Sequence, residues 1–272
     1  MRLRWSGMTH PGRFRRNNED AFLGLIFDAR EVHYLGKEDE LVVDDDQQFV
    51  FAVSDGMGGA NAGEYASRIA VQTVTKRLPE ALRTAMHGDA VDDASILRNL
   101  YQSIHLTMLD MGRAYEECNG MGATLSMVWI NPKRLLFAHI GDSRIYHLPA
   151  EGPMVQITED HSHVGWLLRQ GRINERQAKM HPSRNILDQA LGGGIRKIDP
   201  QIGSVGIAPG DTFALCSDGI CDGLFDHAIT DIICSPHPRM ADKRVSQRLV
   251  DEALANSGKD NLTALVVSVV EL

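Results

Sequence analysis

The sequence predicts an α+β fold built on antiparallel sheets, and three observations support this prediction. Strand-like and helix-like segments occur in blocks instead of alternating strictly along the chain. Two of the gaps between strand-like segments are only Asn131-Pro132-Lys133 and Gly141-Asp142, which are too short for the crossover that parallel strands need. The helix-like segments each have one apolar face. At 272 residues the chain can bury a substantial core, as one large domain or two small ones.

Each element follows from the pattern of apolar residues. Short apolar runs that end at a turn signal are typical of strands. In chain order, strands are predicted at 48–54, 125–130, 134–140, 143–148, 212–217 and 263–270. Apolar residues at helical spacing predict helices at 64–78, 92–115 and 241–256. Gly258 follows the last of these helices and is a favourable terminator.

The composition argues against several classes of function. There are 28 Lys and Arg residues against 36 Asp and Glu residues, and the net charge of −8 is unlike that of a general nucleic-acid binder. No stretch approaches the roughly 18 apolar residues of a membrane helix, so no membrane association is expected. The four cysteines form no Cys-x-x-Cys pair and are interpreted as reduced thiols, which favours a cytoplasmic location.

One segment, residues 28–48, holds most of the excess negative charge. It contains eight acidic and two basic residues, so it contributes −6 of the total of −8. The favoured interpretation is an acidic loop inserted at the surface and solvated there. A regulatory or partner-binding loop is the alternative.

Acidic residues follow several predicted strands directly. Two strands end in the same tripeptide, Ser-Asp-Gly, which places Asp55 and Asp218 at strand ends, and Asp142 follows a third strand. A single Asp-Gly is more often a turn than a ligand, but two copies after apolar strands are harder to explain as turns. Further candidates are Asp222, Asp260, and the run from Arg15 to Glu19 and Asp20.

If these strand ends converge, the chemistry of the site is narrowly defined. Carboxylates a few Å apart repel one another by kcal/mol amounts unless a cation lies among them. Oxygen ligands suit Mg²⁺ or Mn²⁺ better than Zn²⁺. Two such ions can bridge a water molecule and hold a phosphoryl group, while an Arg binds the remaining phosphate oxygens. The pattern therefore predicts metal-dependent hydrolysis of a phosphomonoester.

The chain resembles bacterial members of the PP2C (PPM) family of metal-dependent protein serine/threonine phosphatases. The matching motifs occur in family order and span nearly the whole chain. They are TxxGxxRxxNED at 9–20, VSDGMGG at 53–59, GATL at 122–125, GDSRIY at 141–146, TxDHS at 158–162, HPxRN at 181–185, ALG at 190–192, PGDxxxLCSDGxxD at 209–222 and KDNLT at 259–263.

The resemblance implies a single catalytic domain over residues 1–272, with a four-layer α/β/β/α sandwich around two mainly antiparallel sheets and a flap over residues 160–192. It also implies a role for each matching residue. Asp55 would bridge two Mn²⁺ or Mg²⁺ ions with help from the Gly56 carbonyl, Asp218 and Asp260 would complete the ligation, Glu19 and Asp20 would act through water, and Arg15 would bind the substrate phosphate. Asp142, Asp218 and Asp222 would form a third, weaker metal site.

The resemblance also implies partners, namely phosphorylated proteins such as a cognate kinase and its substrates, and a monomeric state. One departure is Met57, which stands where many eukaryotic members carry a histidine proposed as general acid. Two other functions stay open: an inactive phosphoprotein-binding scaffold of the same fold, and a phosphatase for small molecules.

Overall fold

The computed structural model describes residues 1–28, 30–42, 47–58, 62–87, 92–131 and 134–272. The strands are β1 (Arg2–His10), β2 (Asp20–Phe27), β3 (Val32–Tyr34), β4 (Glu38–Val42), β5 (Gln48–Met57), β6 (Gly122–Ala123), β7 (Leu125–Asn131), β8 (Arg134–Ile140), β9 (Arg144–Leu148), β10 (Val155–Gln156), β11 (Leu191–Gly192), β12 (Gln201–Val205), β13 (Thr212–Cys216) and β14 (Leu262–Glu271). The α-helices are α1 (Ala62–His87), α2 (Asp93–Ala114), α3 (His163–Arg169), α4 (Glu175–Lys179), α5 (Asp218–Gly223), α6 (Asp226–Cys234) and α7 (Val245–Asn256).

The strands form two sheets, and the pairings between described strands are antiparallel. The first sheet has the order β10-β9-β13-β14-β1-β4. The second has the order β11-β6-β5-β7-β8-β12, and β2 joins it by pairing with β5 and with β3. Strands β7 and β8 are consecutive antiparallel neighbours, as their short connection predicts. The predicted α+β class is therefore confirmed.

The two sheets pack face to face and are covered by helices on both outer sides. Phe49 and Phe51 of β5 belong to the cluster between the sheets, together with Trp5 and Val267 of the first sheet. Val50, which points to the opposite face of β5 because side chains alternate along a strand, belongs to the cluster beneath α1 and α2. A third cluster joins the first sheet to α5, α6 and α7. This is the four-layer sandwich that the family resemblance implied.

The acidic segment 28–48 differs from the predicted loop. Its described part forms β3, which pairs with β2, and β4, which pairs with β1 at the edge of the first sheet. Leu35 and Leu41 pack against the cluster between the sheets, and this burial explains why the chain is extended here despite its charge. The interpretation as a loop is wrong for this part, whereas Ala29 and residues 43–46 lie outside the described residues.

No helix in the described part of the chain is long and apolar enough to span a membrane. Gly59, the last residue of the VSDGMGG motif, also lies outside the described residues.

Candidate metal centre

Both sheets contribute carboxylates to one region of the molecule. Asp20 begins β2 and lies directly opposite Asp55 in the register of β2 and β5. Asp218 is the first residue of α5 and comes two residues after the end of β13, while Asp260 lies two residues before β14. Because β13 and β14 pair with each other, the turns next to Asp218 and Asp260 are neighbours.

Asp20 connects the two sheets through hydrogen bonds. Its Oδ2 accepts from the hydroxyl of Ser217 at 2.8 Å and from the hydroxyl of Thr263 at 2.6 Å. Its Oδ1 is buried and has no hydrogen-bond partner. Burial raises the pKa of Asp20 to about 6, although the two hydroxyl groups oppose this change. A buried carboxylate oxygen without a partner is the type of atom that a cation would satisfy.

Asp55 and Asp218 form the centre of the group. Burial raises the pKa of both side chains well above the usual value for aspartate. The charge of Asp218 and a hydrogen bond to it raise the pKa of Asp55 further. Oδ1 of Asp218 is buried without a partner. Asp142 also has a raised pKa, about 7, because of burial and then the charge of Asp160. Each of these shifts favours the neutral carboxyl group, as expected where several carboxylates lie close together.

The backbone at Gly56 leaves no room for a side chain. A Cβ atom at Gly56 would lie 1.9 Å from the carbonyl oxygen of Gly63 and 2.9 Å from that of Glu19. The amide of Gly56 donates to the same Glu19 carbonyl at 3.1 Å. Glycine is therefore required where the strand end, the start of α1 and the chain before β2 meet. This close approach places Glu19 beside the predicted carbonyl ligand.

The residues present fit a hard divalent cation that keeps several of its water ligands. Two buried carboxylate oxygens lack partners, and the buried acids raise one another's pKa. In the described part of the chain, no group of three or more His, Cys, Asp and Glu side chains could hold a metal ion by itself. A set of a few carboxylates, one backbone carbonyl and water is the kind of environment that Mg²⁺ and Mn²⁺ accept.

Arg15 lies at the edge of this carboxylate group. Its Nη2 is 2.7 Å from Oδ2 of Asp260, and this hydrogen bond raises the pKa of Arg15. The charges of Glu19 and Asp218 act in the same direction. The guanidinium is about half exposed, so it can be reached from solvent. The structure therefore brings Arg15, Glu19 and the predicted aspartates together.

The sequence motifs did not assign a function to Asn261, which organises the site. Its Oδ1 accepts from the amide of Glu19 at 2.8 Å, and its Nδ2 donates to the carbonyl oxygens of Pro11 and Asn17 at 2.9 Å. One buried amide thus fixes the segments on both sides of Arg15 and is adjacent to Asp260. The KDNLT motif contains Asn261, but nothing in the motif indicates which distant carbonyls it binds.

Asp222 lies on a more exposed part of the site. Its Oδ2 is 3.4 Å from Nε of Arg184, which belongs to the predicted flap. Asp142, Asp218 and Asp222 all line a cavity of about 60 Å³. The structure thus groups the residues predicted for the third metal site around one space, and Asp222 is the member that is paired with a cation.

Hydrogen bonds join the predicted flap, residues 160–192, to the elements that carry Asp142 and Asp218. Arg144 donates three hydrogen bonds to Asp160, of 2.7, 3.0 and 3.2 Å. His161 and Gly141 exchange two hydrogen bonds, which attach the start of the flap to the turn that contains Asp142. From α4, the ammonium of Lys179 donates to the carbonyl of Leu224 at 2.6 Å and to that of Cys221. It therefore binds the C-terminal end of α5, the helix that begins with Asp218.

Comparison with known proteins assigns the chain to a family. Residues 35–255 match the family described as Protein phosphatase 2C. The chain belongs to the protein phosphatase 2C family. It is 33% identical over 262 residues to the serine/threonine phosphatase stp of Listeria welshimeri, covering 95% of this chain and 93% of that protein. It is 32% identical over 272 residues to the protein phosphatase PhpP of Streptococcus pneumoniae, covering 97% of this chain and 96% of that protein.

A third relative of this phosphatase 2C chain is longer. The serine/threonine protein phosphatase PstP of Mycobacterium tuberculosis is 30% identical over 272 residues, which are 99% of this chain but only 45% of PstP. The chain thus spans about half the length of that relative. A crystal structure of the mycobacterial phosphatase has a TM-score of 0.76 at 28% identity and full coverage of both chains. A structure of the PstP catalytic domain with two manganese ions has a TM-score of 0.75 at 28% identity and 99% coverage of both chains.

The raised pKa values predict how this phosphatase 2C chain responds to pH and metal. Asp20 and Asp142 have folded pKa values of about 6 and about 7 against 3.8 for the free side chain. Between these values the folded chain holds more protons than the unfolded chain, so the free energy of unfolding falls as pH rises. Carboxyl groups must lose their protons before they can bind a metal ion. We therefore expect the increase in Tm caused by Mn²⁺ to grow between pH 4.5 and 7.5.

Thermal unfolding with excess Mn²⁺ and with chelator, across that pH range, measures this effect. Asp142→Asn should make the dependence of Tm on pH shallower in chelator. Asp110→Asn, on an exposed part of α2, should leave it as in the wild type. A Tm difference that is constant or shrinks with pH would contradict the prediction.

Proposed function

We propose that this chain is a metal-dependent protein phosphatase that hydrolyses phosphoserine and phosphothreonine. The observation that carries the proposal is the meeting of acids from the ends of both sheets. Asp20 is buried, lies opposite Asp55 in the register of β2 and β5, and accepts hydrogen bonds from Ser217 and Thr263 at the ends of the first sheet's strands. Arg15 pairs with Asp260 at the edge of the same group. Membership of the protein phosphatase 2C family supports the reaction class.

In this proposal Asp55, Asp218 and Asp260 hold two divalent ions with the Gly56 carbonyl, and Asp142 and Asp222 contribute to a weaker third site. When bound, Mn²⁺ or Mg²⁺ supplies an activated water at neutral pH and neutralises charge on the phosphoryl group. The similar PstP structure with two manganese ions favours Mn²⁺ as one competent ion.

The side chains around the metal ligands bind the substrate and orient water. Arg15 has the planar set of donors that matches two phosphate oxygens, and a phosphate would compete with Asp260 for it. Glu19 and Asp20 lie beside the ligands and would orient water by accepting its hydrogen bonds. Met57 has no titratable proton, so the leaving serine or threonine oxygen takes its proton from water.

The proposed partners are phosphorylated proteins, such as a kinase of the same cell and that kinase's substrates, which would place the enzyme in signal transduction. The monomeric state and the cytoplasmic location stay predictions.

Hydrolysis of p-nitrophenyl phosphate tests the proposal directly. We expect turnover with Mn²⁺ that is lost in chelator and recovered when Mn²⁺ is added in excess. Phosphoserine and phosphothreonine peptides should be hydrolysed with higher kcat/KM than small phosphorylated metabolites. No turnover with any divalent ion would instead favour the inactive scaffold, and a preference for a metabolite would favour the small-molecule phosphatase.

A further inference from the structure

The loop that carries Arg15 has a fixed backbone although most of its side chains are exposed. We call residues 11–17 the arginine loop. The side chain of Asn261 binds the carbonyl oxygens of Pro11 and Asn17, so one buried amide holds both ends of the loop. Between those ends, the amide of Arg13 donates to the carbonyl of Gly258 at 2.7 Å. A loop anchored in this way presents its side chains in a reproducible arrangement.

The arginine loop carries two arginines that form no ion pair with the described carboxylates. Arg13, Arg15 and Arg16 are all exposed. Within the described part of the chain, Arg15 pairs with Asp260, and neither of the other two has a carboxylate within 4.0 Å. Lys259 is exposed and directly follows the residue to which the Arg13 amide is bonded, so it adds a further cation. In a chain with a net charge of −8, this is a local concentration of the opposite sign.

An aromatic side chain projects from the same loop. Phe14 is 73% exposed and lies between Arg13 and Arg15. A single exposed apolar residue is ordinary on a protein surface. This one lies on an anchored loop and is directly followed by Arg15, the residue proposed to bind the substrate phosphate. An aromatic ring between cations can contact an aliphatic or aromatic side chain of a bound peptide.

We propose that the arginine loop is a docking surface for phosphopeptides that carry acidic residues beside the phosphoserine or phosphothreonine. Arg13 and Arg16 pair with those acidic side chains, and Phe14 packs against an apolar side chain of the same peptide. Charge complementarity identifies the occupant, because the unpaired guanidinium groups favour an anionic chain. This inference rests on the proposed function, since it assigns a substrate preference to the same site.

Phosphoserine peptides of one length, with Glu, Ala or Lys at the flanking positions, test the inference. We expect kcat/KM to fall in the order Glu, Ala, Lys, with the Glu peptide about tenfold better than the Lys peptide at low salt and the difference shrinking as salt screens the charges. Arg13→Glu/Arg16→Glu should abolish or invert this order. Arg83→Glu/Arg98→Glu changes the net charge equally on exposed parts of α1 and α2 and should preserve it.

The ratio of kcat/KM for the Glu peptide to kcat/KM for the Lys peptide is measured within each variant, so a general loss of rate does not affect this ratio. Arg13→Gln/Arg16→Gln, a milder change, replaces the Glu variant if thermal unfolding shows damage. Phe14→Ser should reduce only the advantage of peptides with a Leu beside the acidic residue. A ratio unchanged in both arginine variants would overturn the inference.

Binding of the same peptides, labelled with fluorescein and followed by anisotropy in chelator, tests the surface without turnover. If the wild type does not hydrolyse p-nitrophenyl phosphate with Mn²⁺, the proposed function fails while this binding order still tests the loop. Equal binding of the Glu and Lys peptides by the wild type would overturn the inference even if the enzyme is active.

Discussion

Asp218→Asn is expected to reduce turnover of p-nitrophenyl phosphate by about a thousandfold, equivalent to about 4 kcal/mol of transition-state stabilisation. The amide has nearly the shape of the carboxylate but lacks its charge, so it is a poor ligand for a hard cation. The same change should raise the Tm of the metal-free protein. Burial and four neighbouring aspartates raise the pKa of Asp218, and the amide removes this electrostatic cost.

The opposite signs of these two effects make the experiment informative. A residue with only a structural role would lose stability and activity together. The measurement is kcat at saturating Mn²⁺ and thermal unfolding in chelator, with Asp231→Asn on the exposed side of α6 as the control that changes neither. Turnover close to that of the wild type would show that Asp218 is not a metal ligand.

The candidate acids were predictable because their local pattern is strong. Asp55 and Asp218 each follow a run of apolar residues that is buried in a sheet, so the strand end fixes the position of the carboxylate. The partners of Asp20 were not predictable from the same reasoning. Its hydroxyl donors, Ser217 and Thr263, are 197 and 243 residues away in sequence, and no local pattern pairs residues at such distances.

Two strands, β1 and β2, were not predicted from the sequence, for a related reason. Strand β1 begins with basic residues, so its sequence was interpreted as solvated surface charge. Leu3 and Trp5 nevertheless alternate with the arginines and are buried between the sheets. In β2, Gly24 interrupts the apolar run and weakens the strand pattern. The structure explains this glycine, because a Cβ atom there would lie 2.9 Å from the Trp5 ring. Contacts between the two sheets determine the conformation of both strands, and the local sequence pattern does not reveal these contacts.

The acidic segment shows the limit of composition as evidence. A charge of −6 over residues 28–48 predicted a solvated loop at the surface. In the structure Leu35 and Leu41 pack on the cluster between the sheets, while β4 pairs with five residues of β1. Burial of a few apolar side chains and strand pairing therefore decide the backbone conformation, and the charged residues follow it.

Arg15→Ala is expected to weaken inhibition by inorganic phosphate by about 30- to 150-fold and to raise KM for p-nitrophenyl phosphate similarly. Charge-assisted hydrogen bonds from a guanidinium to phosphate contribute about 2–3 kcal/mol, which corresponds to that range. Arg15→Lys should recover only part of the loss, because an ammonium is a point charge that cannot bind two phosphate oxygens in one plane. Mn²⁺ affinity should change much less, since Arg15 donates to Asp260 and is not itself a ligand.

The direction of the change in Mn²⁺ affinity separates the two possible roles of Arg15. Removing the guanidinium frees Oδ2 of Asp260, so metal affinity should stay equal or rise slightly. Calorimetric titration of Mn²⁺, beside phosphate inhibition of p-nitrophenyl phosphate hydrolysis, measures both quantities on the same protein. Arg83→Ala, on an exposed part of α1, is the control. A collapse of Mn²⁺ affinity with unchanged phosphate inhibition would mean that Arg15 organises Asp260 for the metal and does not bind the substrate.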